Sequence, residues 1–363
     1  MLFLKSFQFK LVVGLFLGSL LLGKFLSFSG FPDFLYPKIY AQISKVLSSI
    51  SQNFPFSIGD IFYLILGLVI LYFLVQFIKS IHVKNWRMVQ KRIIHLIILL
   101  TGFYWIFQLV WGFNYDKKPI VENYDVDNIE IDELKNLAEI YFMRSVFLRE
   151  FVLEDENGVF QSNLTIKEMR TTLDQSQELV RKHYPEIQMI PTSSPNLKAS
   201  LFSTGFSYLG VAGYYIPFTA ESQFISNMPD TKLLFTQMHE TAHQWGFAAE
   251  NEANFVGYLL GRESKNIALN YVSNYKAMRS ILNRILLVDP VYVQVMLIRY
   301  SDGMKRDRNY EKLINEKYSG KGDEVFSMMN EAFLKLNNQE GLASYGRFVE
   351  LLVGFNRKYG QLK

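Results

Sequence analysis

Two histidines and several carboxylates in one short stretch are the residues best suited to chemistry in this chain. The run Met238-His239-Glu240-Thr241-Ala242-His243-Gln244-Trp245-Gly246-Phe247 is followed closely by Glu250-Asn251-Glu252-Ala253-Asn254-Phe255. On a helix, His239 and His243 stand four residues apart and project from one face. Two neutral imidazoles so placed can ligate a single zinc ion, and Glu240 between them can take a proton from a zinc-bound water. The chain has only five histidines and two fall in this motif, which argues against coincidence. Gly246, three residues past His243, can end the helix at a positive φ and turn the chain back towards the metal. Glu250 and Glu252 then compete to be the third ligand. Glu250 shares a helical face with Asn254, which could orient a ligand carboxylate, whereas Glu252 suits a solvated helix N-terminus. The expected metal set is therefore His239, His243 and Glu250, with Glu240 as catalytic base.

Local pattern supplies the elements that must hold these residues. A helix over 231–245, capped by Asp230 after Pro229, carries both histidines, and a second over about 250–262 presents its first turn to them. Upstream, residues 197–202 and 211–218 read as strands joined through Gly205 and Gly210. Pro217 gives the second an edge position, from which it could take an extended peptide by strand addition. Helical patterns also cover 128–152, 165–183, 268–287, 290–300, 310–318, 323–336 and 342–359. His183, just before Tyr184-Pro185, suits a helix cap or solvent. Tyr345 opens the last helix; near a metal it could stabilise an oxyanion, although core packing is the ordinary role for a tyrosine.

The first third of the chain is of another kind. Apolar runs at about 9–28, 58–78 and 93–113 are each near the ~20 residues that cross a hydrocarbon core. A cleaved signal peptide could account for the first, but no small-x-small site follows it and two further runs do, so three retained spans are expected. The segment between the second and third holds Lys79, Lys84, Arg87, Lys91 and Arg92 and no acid, which keeps it in the cytoplasm with Lys5 and Lys10. Everything after Phe113 then lies outside. Tyr104, Trp105, Trp111 and Tyr115 suit an interfacial aromatic belt around the third span. Residues 36–50 space Ile39, Ile43, Val46, Leu47 and Ile50 as a helix that lies on the membrane surface or packs on the spans. His82 and His95 belong to this region and read as structural.

Composition narrows the chemistry further. The 363 residues include no cysteine, so disulfides, thiolate metal sites and cysteine nucleophiles are excluded. The net charge of +4 divides unevenly. Residues 1–114 carry +8, from ten Lys or Arg against Asp33 and Asp60, which leaves the remainder at −4. A mildly acidic folded part excludes a nucleic-acid face. The spans hold few ionisable residues and offer no path for a transported solute.

Trp111-Gly112-Phe113-Asn114-Tyr115, Gly213-Tyr214-Tyr215-Ile216-Pro217-Phe218-Thr219, the 239–255 stretch and Gly341-Leu342-Ala343-Ser344-Tyr345-Gly346 occur together behind three spans. In this the chain resembles an uncharacterised bacterial membrane family with a zincin-type motif, the domain of unknown function DUF3810. The resemblance implies zinc-metallopeptidase-like architecture and no particular substrate. Glu250 to Asn254 is also similar to the Glu-x-x-x-Asn/Asp helix of other His-Glu-x-x-His peptidases, in which the first glutamate binds zinc. The short gap after His243 resembles the glycine turn of metzincins, whose third histidine is absent here.

The expected fold is mainly α: a three-helix transmembrane anchor over 1–114, then an α+β zincin-like metallopeptidase domain with a small sheet over 115–363. The expected function is that of a zinc-dependent hydrolase of the bacterial inner membrane, acting on a peptide or protein substrate on the periplasmic or exterior side. The alternative is a zinc-binding sensor or scaffold without catalysis.

Overall fold

The computed structural model describes residues 7–189, 193–320, 322, 326–328, 331 and 347–360. The chain is mainly helical with one small mixed sheet. Three helices are long and apolar enough to cross a membrane: α1 (Phe7–Phe28), α4 (Ile58–His82) and α5 (Trp86–Val110). Side chains such as Leu64, Leu68, Leu71 and Ile106 are about half exposed on them, an apolar surface suited to lipid. A short α2 (Phe31–Phe34) and α3 (Tyr36–Ser51) separate the first two spans. Helices α4 and α5 form a hairpin closed by residues 83–85, so Lys79, Arg87, Lys91 and Arg92 ride on the helix ends and only Lys84 lies in the turn. With 25 residues each and a rise of about 1.5 Å, these helices put the basic turn about 37 Å from the end that carries the rest of the chain.

Beyond the spans come α6 (Ile131–Arg149), α7 (Ile166–His183), α8 (Ser203–Ser207), α9 (Asp230–Gln244), α10 (Glu250–Glu263), α11 (Ile267–Leu286), α12 (Pro290–Ile298), α13 (Asp302–Tyr318) and α14 (Arg347–Tyr359). Helices α6, α9, α10, α11 and α14 enclose one core, built around Leu137, Met238, Phe255, Val256, Leu259, Val272, Met278 and Leu352. Boundaries follow local chemistry. Thr165 caps α7 in a capping box with Glu168. Ser301 caps α13 by accepting from the Met304 amide, so this helix starts at Asp302 and not, as its pattern suggests, near 310. Asp230 lies inside the first turn of α9, and its carboxylate accepts from the Ser162 amide instead of capping its own helix.

The sheet has three strands where the pattern suggests two. Strand β3 (Glu221–Phe224) lies between β1 (Leu197–Ala199), to which it is parallel, and β2 (Gly213–Ile216), to which it is antiparallel. The polar Glu221, Ser222 and Gln223 are fully buried, which hides the strand from any apolar alternation.

The sheet is joined tightly to the spans. Glu221 accepts from the Gly59 amide at 2.6 Å, at the first turn of α4, and pairs with the buried Lys198 ammonium at 3.2 Å. Lys198 in turn donates to the carbonyls of Ser51, Phe54 and Phe56. Asp60 accepts from the Tyr214 hydroxyl and the Leu201 amide. Helix α3 also belongs to this junction. Its buried face is Tyr36, Tyr40, Ala41, Ser44, Ser48 and Ser51, while Val46 and Ile50 look outwards.

Candidate metal centre

Helix α9 is held between two surfaces. Met238 and Ala242, four residues apart, are fully buried in the helical core. On the sheet side, the Ser222 hydroxyl donates to the Glu240 carbonyl at 3.0 Å and to Gln244 Oε1 at 3.1 Å, and the Asn196 amide donates to that same oxygen. The remaining face carries His239 and His243. The helix ends at Gly246, whose φ of 88° is left-handed. Lys117, Asn114 and Tyr40 crowd that glycine, and Lys117 Nζ donates to its carbonyl at 2.9 Å. The turn brings the Phe247 carbonyl to 2.7 Å from His243 Nδ1. A carbonyl can only accept, so Nδ1 carries the proton and Nε2 is left with its lone pair.

Helix α10 begins where that turn delivers it, with Glu250 in its first position. The Glu250 carboxylate stands 3.2 Å from His239 Nε2 and 3.7 Å from His243 Nε2. One donor atom from each residue can be chosen so that all lie within 4.8 Å of one another. Tetrahedral zinc with bonds of about 2.0–2.1 Å sets its donors about 3.3–3.4 Å apart, and the two separations from Glu250 to the histidines, 3.2 and 3.7 Å, bracket that spacing. The side chains of His239 and Glu250 are 13% and 16% exposed, which leaves one side of the cluster open to solvent.

The other expected participants are placed differently. Glu252 accepts from the Ile120 amide at 2.6 Å and faces a cavity of about 310 Å³ that Lys117, Trp245 and Phe247 also line, behind the Gly246 turn. Burial raises its pKa to about 7, against the Ile120 hydrogen bond and the nearby Lys117 charge. It is therefore not a solvated helix-end acid. Asn254 Nδ2 donates to the backbone carbonyl of Glu250 at 2.8 Å and so supports the first turn of α10. His183 pairs with Glu263 at a largely exposed position. Tyr345 and the 341–346 segment lie outside the described residues.

The electrostatics suit a cation. Burial, with a smaller contribution from His239, lowers the His243 pKa to about 4 against the pull of Glu250, so its imidazole is neutral at ordinary pH. Burial and the neighbouring Glu250 charge push Glu240 well above the usual carboxylate range. A cation held beside it would draw that pKa back down. Glu240 Oε2 and His239 Nδ1 are buried and have no hydrogen-bond partner among the described residues. The chain leaves space for that carboxylate at Gly213 of β2. A Cβ there would come within 2.7 Å of Glu240 Oε1.

An aromatic wall completes the surroundings, and motif reading alone misses it. The Trp111 ring lies 4.9 Å from that of Tyr215 and 6.0 Å from that of His243. Tyr40 bridges the Tyr215 hydroxyl and the Gln244 carbonyl. Tyr115 packs on Trp111, and its phenol is raised by burial, and further by Glu250, against a hydrogen bond from Trp111. Trp111 and Tyr115 look like membrane-belt residues in sequence, and their position after the third span carries no signal that assigns them to the site.

A family model described as a protein of unknown function (DUF3810) matches residues 36–353. The chain belongs to this family. In this DUF3810 chain the match runs from α3 into α14, so it takes in spans α4 and α5, the sheet and the histidine–glutamate cluster. No curated protein and no solved structure matches this DUF3810 chain.

Proposed function

We propose that the chain is a membrane-anchored zinc-dependent hydrolase, a metallopeptidase, with its centre on the extracytoplasmic side of a bacterial inner membrane. The observation that carries this reading is the convergence of His239, His243 and Glu250 next to Glu240, whose buried Oε2 has no hydrogen-bond partner among the described residues. His239 and His243 would hold the ion through Nε2 and Glu250 through its carboxylate. When bound, zinc supplies Lewis acidity, polarising a carbonyl and making water a better nucleophile at neutral pH.

Glu240 does the proton work. As a carboxylate it accepts a proton from the attacking water, and as the acid it returns that proton to the departing amine. A purely structural site has no use for a carboxyl in this position, which favours hydrolysis over a scaffold role. Strand β2 supplies a ledge. It is the sheet's edge on this side, and an extended peptide can add to it by main-chain hydrogen bonds. The basic turn at the far end of α4 and α5 supports placing the centre outside the cytoplasm.

The test is Glu240→Gln, which keeps the shape and removes the base. Zinc content should stay at the wild-type level while peptide hydrolysis falls by about 10²-fold or more. Wild-type turnover in this variant would sink the mechanism.

A further inference from the structure

We infer that the substrate is itself membrane-anchored, and that the bond cut lies within a few residues of where its chain leaves the bilayer. This rests on the hydrolase reading above and names the substrate class for that site.

Three features carry it. First, the third span runs directly into the site. Val110 ends α5, and Trp111, the next residue, lies 6.0 Å ring to ring from the candidate ligand His243. Second, the ledge strand points into the spans. At its start, a Cβ on Gly213 would lie 2.7 Å from Glu240 Oε1, so the strand passes close to that carboxylate. Just beyond its end, Phe218 wedges between the two helices, with its ring 5.2 Å from both Phe62 of α4 and Phe103 of α5. Phe103 is seven residues, about 10 Å, inside the end of α5, so this tip reaches below the level of Trp111. Third, exposed apolar surface lies on the junction beside the site: the outward side of α3 with its following turn exposes Val46, Ile50, Phe54 and Phe56.

The register shows which edge is open. The Ser222 amide donates to Asn196 on the β1 side, so Glu221 and Gln223 face β2 and pair with Ile216 and Tyr214. The main-chain groups of Gly213 and Tyr215 therefore point away from the sheet. A chain paired along them has one end beside Glu240 and the other at the depth of Phe218. Four strand residues span about 13 Å, so a polypeptide bound there enters the apolar layer within about four or five residues of the bond beside Glu240. A segment emerging from a span or lipid anchor has this shape. A soluble folded protein would need to thread an extended strand into the headgroup layer.

The experiment uses the full chain, loaded with zinc, in liposomes together with single-span reporter polypeptides. One reporter carries a mixed-sequence peptide segment directly after its span. In a second, a rigid proline-rich spacer of about 15 residues lifts the same segment about 45 Å. A third arm is the free peptide. Cleavage sites are read by mass spectrometry. In parallel, the chain's lack of cysteine makes Ala212→Cys, in a Glu240→Gln background, a unique thiol for crosslinking to reporter cysteines. The inference expects cutting and crosslinking of the near segment, with both at least about tenfold weaker for the lifted and free ones. Equal cutting in all arms overturns the inference and leaves the hydrolase standing. Crosslinks confined to the near segment, without cutting by the wild type, support juxtamembrane binding and count against hydrolysis. Neither cutting nor crosslinking in any arm overturns the inference.

Discussion

The close approach of β2 to Glu240 at Gly213 offers a sharp perturbation, because it joins the ledge strand to the base without involving a metal ligand. A Cβ at Gly213 would lie 2.7 Å from Glu240 Oε1, from Thr236 Cγ2 and from the Gln223 carbonyl oxygen. Ordinary contact begins near 3.4 Å, so Gly213→Ala must open the site by about 0.7 Å. The Gln223 oxygen is main chain inside the sheet and cannot swing aside, so β2 shifts off α9 or the Glu240 carboxylate moves. A misplacement of this size at a catalytic group costs roughly 10²-fold in rate, about 2.7 kcal/mol of barrier. Overpacking adds about 1–3 kcal/mol of lost stability. His239, His243 and Glu250 lie on α9 and α10 and are not displaced directly, so zinc should remain. The assay pairs metal content and thermal unfolding with turnover of the membrane-tethered reporter. Gly205→Ala is the control, since nothing lies within 4 Å of a Cβ there. Wild-type turnover in Gly213→Ala would refute the role given to this close approach, and loss of zinc would refute the independence of the ligand set.

Two further outcomes follow from buried charge. Asp307 accepts from Arg149 through two bonds, from the Tyr271 hydroxyl and from the Phe160 amide, all in the core, so Asp307→Ala should cost about 3–5 kcal/mol in denaturant unfolding with no change in bound metal. Glu252 has a pKa of about 7 in the fold against 4.5 when unperturbed. The folded state therefore holds the extra proton, and stability falls as pH rises from about 4.5 through 7. Glu252→Gln should flatten that slope and exceed wild type by about 3 kcal/mol above pH 7; an unchanged profile would show that Glu252 titrates normally.

The long helices of this architecture are legible in sequence because periodicity and caps announce them, whereas the short α2 and α8 and the early start of α13 escape. The three spans, the histidine helix and the Gly246 turn all fall where composition puts them. What escapes is whatever buries polar groups. Strand β3 does so because Glu221 meets the first turn of α4, Ser222 meets α9 and Gln223 meets Ser57. Helix α3 reads as an apolar stripe at Ile39, Ile43 and Val46, yet its buried face is tyrosine and serine, because it packs on a hydrogen-bonding sheet edge and turn. In the candidate site, four-residue spacing brings His239 and His243 together, and the turn brings in Glu250. The same spacing rule places Asn254 against Glu250, where the bond runs to the main-chain carbonyl. Trp111 and Tyr115 escape for another reason: aromatic residues after a span suit both a lipid interface and a site wall, and only the packing separates the two.

The most direct measurement is the zinc content of the purified full-length chain, taken beside Glu250→Ala and Glu252→Ala. Stoichiometric zinc in the wild type and in Glu252→Ala, with loss in Glu250→Ala, is the expected result. A wild type that binds no zinc when supplied with it, or a Glu250→Ala variant that keeps it, would contradict the metal centre at its root.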